Sequence, residues 1–260
     1  MGTESILQIN GLGISFGETR VVDGISFCVK SGSTLAIVGE SGSGKSVTAM
    51  AILGLLPVVA QIQGEIQFDE LQLMSATPKQ LRAIRGNEIA MIFQEPMTSL
   101  NPVFTIGEQI EEAVLLHRDV SKQEAKVMTC EAMEEVGLDP YRYGAYPHEF
   151  SGGMRQRVMI AMALVCEPRL LIADEPTTAL DATTSRQLME MLYKIREQRG
   201  MSMLFISHDL HLVATIADDV CVMCEGVIVE QGGVVDVMNN PSHTYTQALL
   251  ASIPSLPSSQ

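Results

Sequence analysis

The residues with the clearest chemical purpose run Gly39-Glu40-Ser41-Gly42-Ser43-Gly44-Lys45-Ser46, a G-x-x-x-x-G-K-S pattern. Glycines let successive backbone N–H groups turn inward on an anion, and a helix opening at the lysine adds the positive end of its dipole. In such a loop Lys45 bridges β- and γ-phosphates and the Ser46 hydroxyl ligates Mg²⁺. The flanks supply the context that the pattern requires. The apolar run Thr34–Val38 reads as a strand, and residues 47–56 read as a helix stopped by Pro57. A flexible Gly/Ser loop is the bland alternative, and those flanks argue against it. The loop alone says NTPase and no more.

Two further groups narrow the chemistry. A short apolar run over 170–173 delivers Asp174 and Glu175 at its end. Carboxylates at the C-terminal end of a strand sit where open α/β sheets bind ligands. One to hold Mg²⁺ and one to orient or deprotonate water is what phosphoryl transfer to water requires. The second group is Phe150-Ser151-Gly152-Gly153-Met154-Arg155-Gln156-Arg157. Ser151 is a natural N-cap for the apolar helix that follows, and Gly152 and Gly153 let an anion approach its first amides. Its plain reading is a capped helix with a flexible entry.

These residues need elements to carry them. Short alternating β-like pieces cover 6–9 and 21–29, with turns expected at Gly11, Gly17 and Gly24. Phe16 sits at the turn before Gly17, where a hairpin aromatic is the ordinary role. A strand is expected over 62–69, a short amphipathic helix over 78–85, and a buried strand over 89–93 that ends at Gln94. Prolines at 96 and 102 bracket a loop, and helical spacing follows over 106–117 and 122–136. Strands resume over 170–173 and 203–206 with a helix over 183–199 between them, closed by Gly200. That alternation implies a largely parallel sheet. Strand–turn–strand over 220–229, a short helix after Gly232-Gly233 and a Pro/Ser-rich tail complete the chain.

Composition bounds the rest. The chain has 260 residues, 46% of them apolar, enough for one large α/β domain. With 17 basic residues against 31 acidic, the net charge of −14 argues against a nucleic-acid partner. It does not exclude ATP, because a local nest of amides holds an anion on an acidic protein. The longest apolar run, 158–166, has nine residues, far short of the roughly 18 that span a bilayer. The start of the chain lacks a basic patch followed by an apolar segment, so the expectation is a cytosolic protein or one held at a membrane by a partner. Five cysteines, an odd number, suggest reduced thiols. Cys221 and Cys224 form a C-x-x-C within a strand, where positions three apart face opposite sides, and both are expected to be small core residues rather than metal ligands.

The stretch from Phe150 to Arg157 resembles the signature motif of the ATP-binding cassette (ABC) ATPases, lying between a phosphate loop and the Leu-Leu-Ile-Ala-Asp-Glu carboxylates as it does there. The resemblance covers nearly the whole chain. It implies an α/β phosphate-loop NTPase core with a parallel sheet, a small antiparallel β subdomain and an inserted helical subdomain at about 96–165, all within a single domain of 1–260. It also implies ATP and Mg²⁺ as cofactors, with nucleotide contacts at Gly39, Glu40, Ser41, Gly42, Ser43, Gly44, Lys45, Ser46 and Val47. Gln94 in Phe93-Gln94-Glu95-Pro96 resembles the Q-loop glutamine, which senses Mg²⁺ and the attacking water and contacts the membrane subunit. Ala179-Leu180-Asp181 resembles the D-loop, and His208 the switch histidine that contacts the γ-phosphate. Glu175 is the implied catalytic base, Asp174 a Mg²⁺ ligand with Ser46 and Gln94, and Phe16 the aromatic that stacks on adenine. Ser151, Gly152 and Gly153 face the γ-phosphate held by a partner cassette. Met154 stands where Gln is commoner and Phe150 where Leu is; neither change removes the serine and glycine amides.

A narrower resemblance links the 93–102 stretch, the signature Met and the tail 241–250 to the peptide/nickel importer branch of this family. Its members energise uptake of di- and oligopeptides, glutathione or nickel. Longer members extend the tail and carry a cysteine cluster there; this chain has no cysteine beyond Cys224. The implied assembly is a second, homologous ATPase, two membrane permease subunits and, indirectly, a solute-binding protein, at the cytoplasmic face of the inner membrane. A soluble ABC ATPase of DNA repair or translation is the competing class. It would carry coiled-coil interruptions or a basic linker, and neither is present. A nucleotide-binding adaptor without hydrolysis would lack Glu175 or His208, and exporter cassettes are usually fused to membrane helices.

Overall fold

The structure is a computed structural model that describes residues 4–94, 99–178 and 180–251. The Glu95-Pro96 part of the expected Q-loop, Ala179 of the D-loop, the first three residues and the last nine lie outside the described residues. In chain order the elements are β1 (Ser5–Phe16), β2 (Thr19–Lys30), β3 (Thr34–Val38), α1 (Lys45–Ile52), β4 (Ala60–Phe68), β5 (Leu71–Gln72), α2 (Pro78–Ile84) and β6 (Ile89–Ile92). Then follow α3 (Ile106–His117), α4 (Lys122–Glu135), α5 (Gly152–Leu164), β7 (Leu170–Asp174), α6 (Ala182–Arg199) and β8 (Ser202–Ser207). The chain closes with α7 (Leu210–Ile216), β9 (Asp219–Cys224), β10 (Val227–Gly233), α8 (Val234–Asn239) and α9 (Thr244–Ala251). Residues up to Ala76 and from Met203 onward form one compact unit, and Thr77–Ser202 form another.

The first unit holds two sheet layers. One is antiparallel, in the order β2-β1-β4-β5. In the other β3 lies between β8 and β9, parallel to both, with β10 antiparallel on the far side of β9. All five residues of β3 are buried, which is why this strand reads as an unbroken apolar run and not as an alternation. Val38 at its end is level with Ser207 of β8 and Val222 of β9. The phosphate loop and His208 therefore leave the sheet at the same edge.

The antiparallel layer departs from expectation. Gly11 and Gly24 make no turns; β1 and β2 are single twelve-residue strands reversed only at Gly17-Glu18. At both glycines the register slips by one residue, between Ile9 and Leu12 and again between Leu12 and Ile14. With φ of +58° and +65°, they carry the left-handed backbone of bulges. The tail also differs, since its described part includes the helix α9. Helix α7 went unforeseen too, although Asp209 caps it by accepting from the amides of His211 and Leu212. Cys221 is buried as expected, but Cys224 is half-exposed and not a core residue. All five cysteines are free thiols.

The second unit pairs β6 with β7 in parallel, Ile92 level with Ala173. Around them pack helices whose starts are written locally. Thr105 with Glu108 and Ser121 with Glu124 form reciprocal capping boxes that begin α3 and α4. Ile106, Ile110 and Val114 of α3, Ala125 and Met133 of α4, and Val158 and Ile160 of α5 are buried. Arg199 at the end of α6 pairs with Glu135 at the end of α4 and donates to the Leu164 carbonyl at 2.8 Å. No helix among the described residues is long and apolar enough to cross a membrane.

Candidate functional site

In the first unit the phosphate loop is moulded by its neighbours. A side chain at Gly39 would place its Cβ 2.0 Å from the Met223 carbonyl of β9. At Gly44, where φ is +103°, a Cβ would meet the Val21 carbonyl of β2 at 3.0 Å and Met223 Cε at 2.8 Å. Gly226, in the turn between β9 and β10, donates to the Ser43 carbonyl at 3.1 Å. Lys45 is buried, 4% exposed. Its Nζ donates to the Gly39 and Glu40 carbonyls at 2.8 Å each and approaches Ser43 Oγ at 3.5 Å. Helix α1 opens with no side-chain cap, which leaves its first amides for a ligand.

Other residues of this unit take defined places. Ser46 and Val47 are half-buried in the first turn of α1, and Glu40, Ser41 and Gly42 are exposed. His208 is exposed directly after β8. Phe16 ends β1 half-buried, level with Thr19 and Ala60.

In the second unit the parallel pair brings Gln94 and Glu175 together. Gln94 follows β6 and Glu175 follows β7, and Gln94 Nε2 donates to Glu175 Oε2 at 3.1 Å. Thr178 Oγ1 donates to the same oxygen at 2.9 Å, and the Thr178 amide closes a turn on the Glu175 carbonyl at 3.1 Å. Glu175 has φ of +46°, a left-handed conformation unusual for glutamate. Such strain persists where neighbours over-determine it, and it concentrates at functional sites. Asp174 is the last residue of β7 and is buried, 4% exposed. A buried carboxylate followed by one held in orientation has the form needed to hold a cation and direct a water.

The glycine-rich start of α5 carries a packing constraint beside the role expected of it. Ser151 Oγ accepts from the Met154 amide at 3.4 Å, the N-cap geometry read from the sequence. Gly152 is exposed, with open space where a side chain would be. Gly153 is a packing glycine: a Cβ there would lie 2.7 Å from Thr184 Cγ2 of α6. Thr184 cannot easily turn away, because its hydroxyl donates to Asp181 Oδ2 at 2.6 Å. Asp181 itself caps α6, accepting from the amides of Thr183 and Thr184 at 3.1 and 3.0 Å. The Thr184 hydroxyl, and then its amide, hold the Asp181 carboxyl below its ordinary pKa. Sequence reasoning assigned no part to Met223, Gly226 or Tyr245. None carries a local signal, since each meets the loop from a distant strand, turn or helix.

A phosphate loop between a buried parallel strand and an uncapped helix, in a chain with a carboxylate pair ending another parallel strand, defines the class of phosphate-loop nucleotide-binding proteins. Comparison with known proteins narrows it. The ABC transporter family matches residues 22–178. A peptidoglycan transport ATP-binding protein of Agrobacterium fabrum is 53% identical over 97% of this chain, which spans only 48% of that relative's length. An oligopeptide transport ATP-binding protein of Bacillus subtilis is 49% identical over 98% of this chain and 73% of its own. Among solved structures, an ATP-binding cassette in a dimeric post-hydrolysis state with ADP and Pi superposes with a TM-score of 0.78. It is 25% identical, with 88% of this chain and 98% of that one covered. The chain belongs to the ABC transporter family, as one of its ATP-binding ATPase cassettes.

The packing of Gly153 yields a test. Gly153→Ala should destabilise the chain by about 1–3 kcal/mol, the usual cost of overpacking. Thr184→Ser removes the offending methyl and keeps the hydroxyl on Asp181, so the double variant should recover most of that loss. Urea unfolding of the four proteins measures it; equal loss in the single and double variants would remove the packing explanation.

Proposed function

We propose that this chain is the ATP-hydrolysing subunit of a peptide importer, a single cassette over 1–260 with a helical subdomain at about 96–165. The observation that carries the chemistry is Glu175, held at a strand end by Gln94 and Thr178. Lys45 and the loop of 39–47 take the phosphates, Phe16 the adenine face, and His208 the γ-phosphate. Glu175 orients and deprotonates the attacking water. Asp174 and Ser46 suit Mg²⁺, a hard cation that is usually held by one or two protein oxygens plus phosphate and water, and Gln94 is the further ligand of that set. Once bound, the ion would neutralise phosphate charge. The residues fit such a group: the Asp174 carboxylate is buried at a strand end, and Ser46 lies beside the lysine that the phosphates would meet.

The peptide cargo is supported by the narrower resemblance and by the B. subtilis relative, whose name states oligopeptide transport. In the proposed assembly two different cassettes face each other head to tail on two membrane subunits, so that the chain is peripheral to the cytoplasmic face. A solute-binding protein delivers cargo on the other side. Exposed apolar side chains Val103, Phe104 and Leu116 in the helical part, 71, 50 and 74% exposed, supply surface for docking on a membrane subunit. Ser151, Gly152 and Gly153 complete the nucleotide site of the partner cassette, and Asp181 lies at the shared interface.

Three substitutions separate these roles. Lys45→Ala should weaken ATP binding itself, because the ammonium meets phosphate charge in the ground state as well as the transition state. Isothermal titration with unchanged affinity would contradict the phosphate-loop role. Glu175→Gln should keep ATP affinity while slowing hydrolysis by about 10²–10⁴-fold, the scale of a lost general base. Near wild-type turnover in the assembled transporter would reject Glu175 as the base. Ser151→Arg, paired with a wild-type partner cassette, should stop hydrolysis of the ATP held by the partner's loop and leave ATP binding at Lys45 intact. Loss of binding at this chain's own loop would mean that the site is completed in cis.

A further inference from the structure

The tail residues after β10 are anchored to the first unit, and the anchor ends on the phosphate loop. Glu230 of β10 accepts from the Ser242 amide at 2.7 Å, the Ser242 hydroxyl at 2.8 Å and the His243 amide at 3.1 Å. Burial alone would raise its carboxyl pKa, but these donors outweigh burial and hold it down at about 2. The clamp is therefore ionised at neutral pH. From it the chain enters α9, where the Tyr245 amide donates to His243 Nδ1 at 3.2 Å and Thr246 is buried, 2% exposed. Tyr245, half-buried, then reaches back across 205 positions of sequence: its hydroxyl accepts from the Glu40 amide at 3.0 Å.

That amide belongs to the peptide group whose carbonyl is Gly39 O, the acceptor of Lys45 Nζ at 2.8 Å. One peptide plane is thus fixed from both ends, by the lysine on its carbonyl and by the tail tyrosine on its N–H. A peptide free to rotate would turn its carbonyl off the lysine and its N–H toward the loop interior. Gly39 has no Cβ to resist that rotation, so something outside the loop must. We propose that Tyr245 is a positioning residue of the phosphate loop: by accepting the Glu40 N–H it fixes the Gly39–Glu40 peptide, and through Glu230 the tail helix sets how tightly the loop takes nucleotide. The inference rests on ATP binding at the loop.

Tyr245→Phe keeps the ring and removes the acceptor. Titration of the 260-residue chain with ATP and Mg²⁺ should show Kd raised about two- to tenfold, the scale of one net hydrogen bond. Glu230→Gln, which loosens the clamp, should move Kd in the same direction. The double variant should be no weaker than the worse single one, because both act through a single bond. In the assembled transporter KM for ATP should rise with kcat unchanged. A tail that only stabilises the fold would lower the melting temperature and leave Kd alone at temperatures where both proteins are folded; that result overturns the proposal. If wild type binds ATP, Lys45→Ala does not, and Tyr245→Phe matches wild type, this inference alone fails. If wild type binds no ATP, the loop's assignment falls and this inference with it.

Discussion

A buried ammonium dictates the form of the nucleotide loop. Taking Lys45 out of water requires acceptors around its three N–H donors. The Gly39 and Glu40 carbonyls and the Ser43 hydroxyl provide them. Bringing those oxygens to one point forces the chain through conformations at Gly39 and Gly44 that leave no room for a side chain. The walls that make this so are Val21 of β2 and Met223 of β9, and the turn between β9 and β10 ties down Ser43 through Gly226. The loop's shape is therefore a tertiary property. Strands far away in sequence hold it, and a bound phosphate finds it largely formed, which lowers the ordering cost of binding.

Orientation in the second unit depends on the same principle at a carboxylate. A left-handed backbone at Glu175 costs of order 1 kcal/mol or more, and it is offset by bonds from two directions. Thr178 supplies a turn and a hydroxyl from the residues that follow, and Gln94 an amide from the neighbouring parallel strand. Both side-chain donors use one carboxylate oxygen, so the rotation of the group is set. A second chain of contacts joins Asp181, the Thr184 hydroxyl, the Thr184 methyl and Gly153. The starts of α5 and α6 are consequently packed so closely that a methyl group added at Gly153 would overlap Thr184.

What could be read in the sequence was what is local. A phosphate loop is eight successive residues, and a capping box is four, so Thr105 with Glu108 and Ser121 with Glu124 announce their helices without help from elsewhere. The buried parallel strands announce themselves as apolar runs. Gly11 and Gly24 were misread as turns because the same residue type serves a reversal and a bulge; only the partner strand decides, and the register of β1 on β2 is not written locally. Gly153 also has a packing reason that is not written locally, since its neighbour Thr184 lies thirty-one positions later. Helix α9 was hidden among Pro and Ser residues because its anchor, Glu230, lies in another element. Cys224 shares a strand with buried Cys221, but it is the last residue of that strand, beside the turn at Gly226. It is half-exposed although both faces of the strand before it are buried.

The charge balance shows how far composition reaches. A chain with 31 acidic residues and 17 basic ones would be a poor binder of anions if long-range charge decided the matter. At physiological ionic strength, however, exposed charges are screened beyond about 8 Å. What a phosphate meets inside the loop is a set of oriented amides, a helix start and one lysine. Glu40, the acidic residue within the loop, uses its backbone to shape the loop around that set, its carbonyl accepting from Lys45 and its N–H donating to Tyr245, while the residue itself stays exposed. Global charge thus sets which large surfaces repel the protein, and backbone geometry sets which small anion it holds. The two act over different distances, and so an acidic protein can be built around a phosphate.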